Sequence, residues 1–304
     1  MRTVIKIGTR GSALALAQAR EVKAFLQKKY RRCSFVLRVI KTEGDQYKTV
    51  ELFKKNHTGI FTKAIEKALL KKNIDIAVHS AKDLPTEMTK GLCLAAFLKR
   101  LNPADALISK KGYTLKTLPK GARVGTGSPR RKRQLHFLRP DLRLIDLRGN
   151  LGTRINKVIA KDAPLDAVVL AYAGISRLKK WMKYAKLIKN KAIFPAVGQA
   201  ALSLQTRSDD KQSYAMARRL NHKETEILIK AERAFLKVLQ GGCRVPIGVC
   251  SVIRNSKISL TGRVLSATSH KKIEGHAEGN IKEYKKVGQA LAKKLLKLGA
   301  KEMF

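Results

Sequence analysis

The sequence predicts an α/β protein with largely parallel sheets, closed by a smaller C-terminal α+β region built on a three-stranded antiparallel sheet. Three observations carry this expectation. From Thr3 to about Leu220, short β-branched or apolar runs alternate with segments of helical period, the pattern of strands joined by crossover helices. From about Lys223 the pattern changes to one helix, three strand-like runs at hairpin spacing and a closing helix, which implies antiparallel pairing. At 304 residues the chain exceeds one minimal core and fits two or three compact domains.

The elements follow in order. Thr3 to Gly8 reads as a buried strand, and Thr9-Arg10-Gly11-Ser12 as the turn into a helix with Ala13, Leu14, Leu16, Ala17, Val22 and Leu26 on its apolar positions. Ser12 suits the N-cap, which by itself explains a serine there; Arg10 just before it adds a donor for an anion at the same helix entrance. Ser34 to Ile40 is a strand, Thr42 to Thr58 a polar connection, Phe61 to Leu70 a helix and Ile74 to Val78 a buried strand. That strand runs into His79-Ser80-Ala81-Lys82-Asp83-Leu84-Pro85. Strand carboxyl ends are where open α/β sheets collect ligands, so Asp83 is placed to stabilise a cation or move a proton. A surface ion pair or an Asx turn before Pro85 accounts for the same residues equally well.

Leu92 to Leu98 and Ala106 to Ser109 are further strands, separated by the crossing Lys99 to Pro103. Arg123-Val124-Gly125 starts a strand-turn-helix unit, Thr126-Gly127-Ser128-Pro129-Arg130-Arg131-Lys132-Arg133, with Pro129 at the first helical position and Ser128 at its cap. Four cations in a first helical turn oppose the helix dipole, a conflict that bound anions relieve. Leu142 to Leu147 leads to Arg148-Gly149-Asn150 and a helix from about Leu151 that carries Arg154; Ala167 to Leu170 leads to a turn with Arg177. Phe194 to Ala200 is a return crossing, Leu202 to Gln205 a strand and Lys211 to Leu220 a helix. In the last region a helix from Glu224 to Leu239 precedes the strands Ile247 to Arg254, Lys257 to Leu265 and Lys271 to Glu278, and a helix Ile281 to Leu298 closes the chain.

Six arginines stand at βα junctions: Arg10, Arg130, Arg131, Arg148, Arg154 and Arg177. Guanidinium forks match carboxylates in pairs, so the set suits a polycarboxylate ligand. The formal net charge of +43, from 65 Lys plus Arg against 22 Asp plus Glu, also raises a polyanionic partner. No nucleic-acid module accompanies it, and many lysines fall on polar helix faces, the pattern of a solvated basic surface. No run of eighteen apolar residues exists and the first residues enter a strand, so no membrane span or signal peptide is expected and a cytoplasmic location is. Cys33, Cys93, Cys243 and Cys250 show no metal-ligand spacing, and no metal site is expected.

Cys243 stands apart. Gly241 and Gly242 end a helix and Pro246 begins the exit toward a strand, so its thiol is set on a loop where a nucleophile or covalent anchor can be presented. A lone cysteine is also a small buried hydrophobe, and the loop alone does not separate the two readings.

Six stretches in their order resemble the porphobilinogen deaminases, also called hydroxymethylbilane synthases: Ile7 to Ala15, His79 to Pro85, Gly125 to Arg131, Leu147 to Arg154, Pro195 to Gln199 and Gly241-Gly242-Cys243. The resemblance implies two periplasmic-binding-protein type II-like domains around a cleft and a third, cofactor-anchoring domain. The expected divisions are 1–99 with 200–221, 100–199, and 222–304, with hinge segments near 99–103 and 194–199. It implies a dipyrromethane cofactor joined by a thioether to Cys243, with Lys82, Thr126, Ser128, Arg130 and Arg131 binding it and Asp83 as the catalytic carboxylate. Arg10, Ser12, Arg148, Arg154, Arg177 and Gln199 would bind the pyrrole substrate's carboxylates. A monomer acting on a small polycarboxylate pyrrole is expected, with no specific nucleic acid and no membrane partner. One departure is plain: Thr58 stands where the family commonly has a lysine. Two other classes share some of these features. A solute-binding module would use the same two lobes without needing Cys243 or Asp83, and a nucleic-acid binder would depend on salt and not on Asp83.

Overall fold

A computed structural model describes residues 2–42, 62–240 and 245–303. Gly241, Gly242 and Cys243 of the expected anchoring loop, and Thr58, lie outside the described residues. The chain divides into two compact units, Met1–Leu101 with Ala201–Glu226 and Asn102–Ala200 with Ile227–Phe304.

The first unit is built on five strands, β1 (Val4–Thr9), β2 (Ser34–Val39), β3 (Ile76–Ser80), β4 (Leu92–Phe97) and β10 (Leu202–Arg207). Their spatial order is β2-β1-β3-β10-β4. One face is covered by α1 (Ala13–Lys29) and α6 (Lys211–Arg218), whose Val22, Leu26, Met216 and Ala217 pack on Ile5, Ile7, Phe35 and Leu204. The other is covered by α2 (Lys63–Leu70), which buries Ile65 and Leu69 against Ile74, Ala77 and Leu92. Burial on both faces is why Ile76-Ala77-Val78 of β3 reads as a continuous apolar run rather than as an alternating one.

The second unit repeats the plan with β5 (Asp105–Ile108), β6 (Arg123–Gly125), β7 (Arg143–Ile145), β8 (Ala167–Ala171) and β9 (Ala185–Leu187), in the order β7-β6-β8-β5-β9. The helices α3 (Pro129–Leu138), α4 (Leu151–Ile159) and α5 (Tyr172–Leu178) each follow a strand end. The expected pair of α/β lobes is therefore present as two sheets with one strand order. The expectation of largely parallel sheets is corrected in both. β10 runs antiparallel to β3 and β4, and β5 antiparallel to β8 and β9, so each sheet holds two parallel and two antiparallel pairs. The reason is connectivity. β5 and β10 are the strands that begin after the chain has crossed from one unit to the other, so no crossover helix fixes their direction.

The C-terminal sheet has the expected order β11 (Ile247–Arg254), β12 (Lys257–Leu265) and β13 (Lys272–Asn280), all antiparallel. On it lie α7 (Lys223–Leu239) and α8 (Tyr284–Lys297), with Phe235, Leu291 and Leu295 fully buried against Val249, Ile258 and Leu260. This region shares a compact unit with β5–β9 because it is bonded to the crossing around Phe194. The Val249 N–H donates to the Pro195 carbonyl (2.9 Å). Arg263 donates to the Gln134 side chain (2.9 Å) and to the Ala192 carbonyl (2.8 Å), and its guanidinium lies 3.9 Å from the centre of the Phe194 ring.

Gly248 makes that approach possible: a Cβ there would stand 2.5 Å from the Phe194 Cβ and 2.9 Å from its carbonyl oxygen. Gly248→Ala is therefore expected to cost about 1–3 kcal/mol through overpacking and to lower the thermal midpoint, read by circular dichroism. An unchanged midpoint would mean that the Phe194 backbone yields freely.

Candidate active site

In the first unit the chemistry-bearing residues sit at the ends of β1 and β3. Ser12 is the N-cap of α1, in extended conformation, and its hydroxyl accepts from the Ala15 N–H (3.3 Å). β3 ends at Ser80 and passes into one turn of 3-10 helix, Ala81–Asp83, which carries Lys82 and Asp83 half-exposed. The turn is tied to the residue before β10 by the Ala81 N–H, which donates to the Ala201 carbonyl (3.0 Å). Ser80 is held from α1 by the Gln18 amide (3.2 Å). Arg10 is half-exposed, one residue beyond β1.

Directly before this turn, inside the sheet, stands a buried polar chain that the sequence reading did not single out. His79 Nε2 pairs with the Gln205 carbonyl oxygen (3.0 Å), and the Gln205 amide donates to Glu66 Oε1 (2.9 Å). Glu66 Oε2 accepts from the Thr89 hydroxyl (2.8 Å). Burial pushes the His79 imidazole down to about 4, against an opposing pull from Glu66, so the ring is neutral at pH 7. The signal in the sequence was a titratable residue at the end of an otherwise apolar run, Ile76-Ala77-Val78-His79.

In the second unit, Thr126, Ser128, Arg130 and Arg131 gather at the entrance of α3. Pro129 takes the first helical position as expected, but Ser128 makes no capping hydrogen bond; instead its own N–H donates to the Thr126 hydroxyl (3.3 Å). The four cations of this turn are met by the protein's own acceptors. Lys132 pairs with Asp146 (2.6 Å), and Arg133 donates to the Ser266 and Ser269 carbonyls. Arg130 and Arg131 are both buried and both pair with Asp105, on Oδ2 and Oδ1 respectively, each at 2.8 Å. Arg130 also donates to the Phe194 carbonyl, and Arg131 to the Val169 carbonyl (3.3 Å) and the Gln199 side chain (3.5 Å). The Gln199 amide in turn donates to Asp105 Oδ1 (2.9 Å) and to the Pro103 carbonyl (2.7 Å). Asp105 has no solvent exposure. Burial alone would raise its carboxyl, but the two guanidinium groups outweigh this and hold it well below the usual carboxylate range.

Asp105 is the residue that sequence reasoning missed here, although an aspartate inside the apolar run Ala104-Asp105-Ala106-Leu107-Ile108 marks a buried charge in need of partners. Arg148 and Arg154 flank the entrance of α4, half-exposed, where Asn150 is the cap (Thr153 N–H, 2.9 Å) and Arg154 Nε donates back to the Gly149 carbonyl (2.7 Å). Arg177 is half-exposed in the last turn of α5. Thr126, Ser128, Arg130, Arg131 and Gln199 thus meet around α3, while Arg148, Arg154 and Arg177 stand on neighbouring helices of the same unit. Among the described residues no three His, Cys, Asp or Glu side chains are grouped to hold a metal ion, and no helix is long and apolar enough to cross a membrane.

Known families match the chain over most of its length. The sequence model of the family described as "Porphobilinogen deaminase, dipyromethane cofactor binding domain" matches residues 5–215, and that described as "Porphobilinogen deaminase, C-terminal domain" matches residues 227–297. The chain belongs to the porphobilinogen deaminase family. It is 42% identical over 303 residues to the porphobilinogen deaminase of Pelotomaculum thermopropionicum, covering 100% of this chain and 96% of the relative. It is 43% identical over 303 residues to that of Desulforamulus reducens, covering 100% and 97%.

The residues at α3 fit the dipyrromethane group that the family's first domain binds. Such a group bears acetate and propionate carboxylates, and the entrance of α3 offers helix N–H groups without a side-chain cap beside two guanidinium groups that share one carboxylate. The Nε atoms of Arg130 and Arg131 are buried and have no hydrogen-bond partner.

The neutral His79 generates a pH dependence. Its folded-state value lies below its unfolded one, so between about 4 and 6.5 the unfolded chain binds a proton that the native protein does not. The stability it contributes is complete above pH 6.5 and is lost as pH falls toward 4. His79→Gln is expected to remove on the order of 3 kcal/mol of pH-dependent stability over that interval, measured as denaturant midpoints from pH 4 to 7. Parallel pH curves for the two proteins would contradict a buried neutral imidazole.

Proposed function

We propose that this chain is a transferase that condenses four porphobilinogen molecules head to tail into hydroxymethylbilane, releasing one ammonia per unit, on a dipyrromethane primer thioether-linked to Cys243. The reaction belongs to tetrapyrrole biosynthesis. The observation that carries this reading is membership of the family from end to end, with both of its domains matched in order and relatives covered over 96–97% of their length.

The chemistry asks for three things from the chain. Loss of ammonia breaks the aminomethyl C–N bond of the substrate and leaves a delocalised cation, and Asp83 stabilises that charge and takes part in proton transfer. Carbon–carbon bond formation then expels the ring proton of the accepting pyrrole. After the fourth addition, water hydrolyses the four-ring product from its fixed end and supplies the hydroxyl of its hydroxymethyl group. When bound, the dipyrromethane group supplies the free pyrrole carbon at which each new bond forms. Cys243 holds the fixed end in one place, which makes each addition intramolecular on one side. Each added ring brings two carboxylates. Arg10, Ser12, Arg148, Arg154, Arg177 and Gln199 bind those of the substrate, and Lys82, Thr126, Ser128, Arg130 and Arg131 those of the primer.

A growing product has to be accommodated, and the divisions 1–99 with 200–221, 100–199 and 222–304 give the chain parts that shift for it about segments near 99–103 and 194–199. The unit boundaries after Leu101 and Ala200 fall in or beside these two segments, which supports bending there. The protein works as a cytoplasmic monomer, with no specific nucleic-acid partner and no membrane partner.

Intact mass tests this reading. Protein made in cells that supply porphobilinogen is expected to carry an adduct, and Cys243→Ser only the bare polypeptide. In the same series Asp83→Asn is expected to bind substrate and release ammonia about 10²-fold more slowly or worse. A bare wild-type mass removes the covalent primer from the account, and undiminished ammonia release removes Asp83.

A further inference from the structure

We propose that Asp105 is a positioning residue for carboxylate recognition: its two oxygens hold Arg130 and Arg131 as one unit with Gln199 at the entrance of α3. The inference deepens the functional reading above and rests on it for the identity of the ligand. It does not rest on it for the geometry.

Three observations carry it. Asp105 Oδ1 and Oδ2 each take one guanidinium at 2.8 Å, so the spacing of two successive arginines is set by a single carboxylate. The same oxygen Oδ1 accepts from the Gln199 amide (2.9 Å), and Arg130 and Gln134 both donate to the Phe194 carbonyl, so helix α3 and the crossing 194–199 are registered on one group. Then there is what the cluster leaves unused. Both Nε–H donors and Asp105 Oδ2 are buried without a hydrogen-bond partner, so Arg130 meets Oδ2 as an ion pair only, and the helix entrance beside them has no side-chain cap. Two cations against one anion leave one positive charge in the cluster. This is a structural ion pair that has been left short of one carboxylate, and a ligand carrying carboxylates supplies it. Asp105 itself touches no ligand in this scheme, since all of its surface is covered by protein.

The proposal has a sign that simple electrostatics does not share. Asp105→Asn makes the site more positive by one unit, so a site working by field strength alone would bind carboxylates more tightly. A site working by the placement of its guanidinium forks would bind them more weakly, because the arginines repel and separate once the bridging charge is gone.

The experiment uses the full-length chain carrying Cys243→Ser, which forms no thioether, and titrates it with a soluble dipyrromethane bearing acetate and propionate arms. Asp105→Asn in this background is expected to weaken binding about 10- to 100-fold, and Asp105→Glu to recover part of the loss. Equal or tighter binding by a folded Asp105→Asn protein overturns the proposal, as does a parent that binds no dipyrromethane. If Asp105→Asn does not fold, Asp105→Glu is compared with the parent instead, since it keeps the charge and shifts both guanidinium groups by one methylene. Weaker binding is then expected, and unchanged affinity is the contrary result. Turnover is assayed separately with Cys243 restored. Wild-type protein that binds the dipyrromethane with this Asp105 dependence but condenses no porphobilinogen would sink the enzyme reading and leave the positioning role standing.

Discussion

A carboxylate sealed from water between two guanidinium groups is the constraint from which the second unit takes its form. Asp105 stands on β5, the strand whose direction is reversed relative to β8 and β9, and it faces the first turn of α3. Taking one partner from such a pair costs about 3–5 kcal/mol because a buried charge is left without its counterion. The contact therefore determines more than its own geometry. Arg130 reaches on to the Phe194 carbonyl, Gln134 bonds the same residue on both its N–H and its carbonyl, and Arg263 of the C-terminal sheet joins Gln134. From β5 to β12 the polar bonds form one connected set, and Gly248 lets the sheet close on it.

The first unit has its own buried ion pairs, Arg207 of β10 with Asp75 and Asp210, but keeps a neutral group at the end of β3. His79 is neutral, and its hydrogen-bonding capacity is met through Gln205 and Glu66 rather than through an arginine. A neutral ring behind the turn that carries Lys82 and Asp83 leaves the charge at that sheet edge to those two residues and to Arg10. The two lobes share a strand order, yet the polar group buried at a strand end is a neutral imidazole in the first and an aspartate paired with two arginines in the second. Glu232, fully buried in α7, accepts from the Gly198 N–H (2.7 Å) and the Ser251 hydroxyl (2.5 Å). Helix α7 is thereby fixed to the residue preceding Gln199.

Much of this was legible from residue patterns, and the misses share one cause. The three C-terminal strands were readable because hairpin spacing is local, and β11 and β12 begin and end at the expected residues. Ser12 as a cap and Pro129 at a first helical position are likewise decided within four residues. The reversed strands β5 and β10, and the short β9, are pairings between distant segments, which no local period encodes. The same holds for the basic turn at α3. Its clash with the helix dipole was visible, but the acceptors that relieve it, Asp105 and Asp146, come from other strand ends. Individual site residues were legible as types at junctions. Their grouping around Asp105 was not, although a lone aspartate in an apolar run was the available cue.

The claim on which this account turns is that guanidinium groups fixed by one buried carboxylate receive the carboxylates of a bound pyrrole chain. A crystal structure of the protein purified from porphobilinogen-supplying cells tests it most directly. The account requires acetate or propionate oxygens of the bound group within hydrogen-bonding distance of Arg130, Arg131 or the N–H groups at the start of α3, with Asp105 still bridging the two arginines. Carboxylates met only by other side chains, around an Asp105 cluster that no ligand atom approaches, would contradict it.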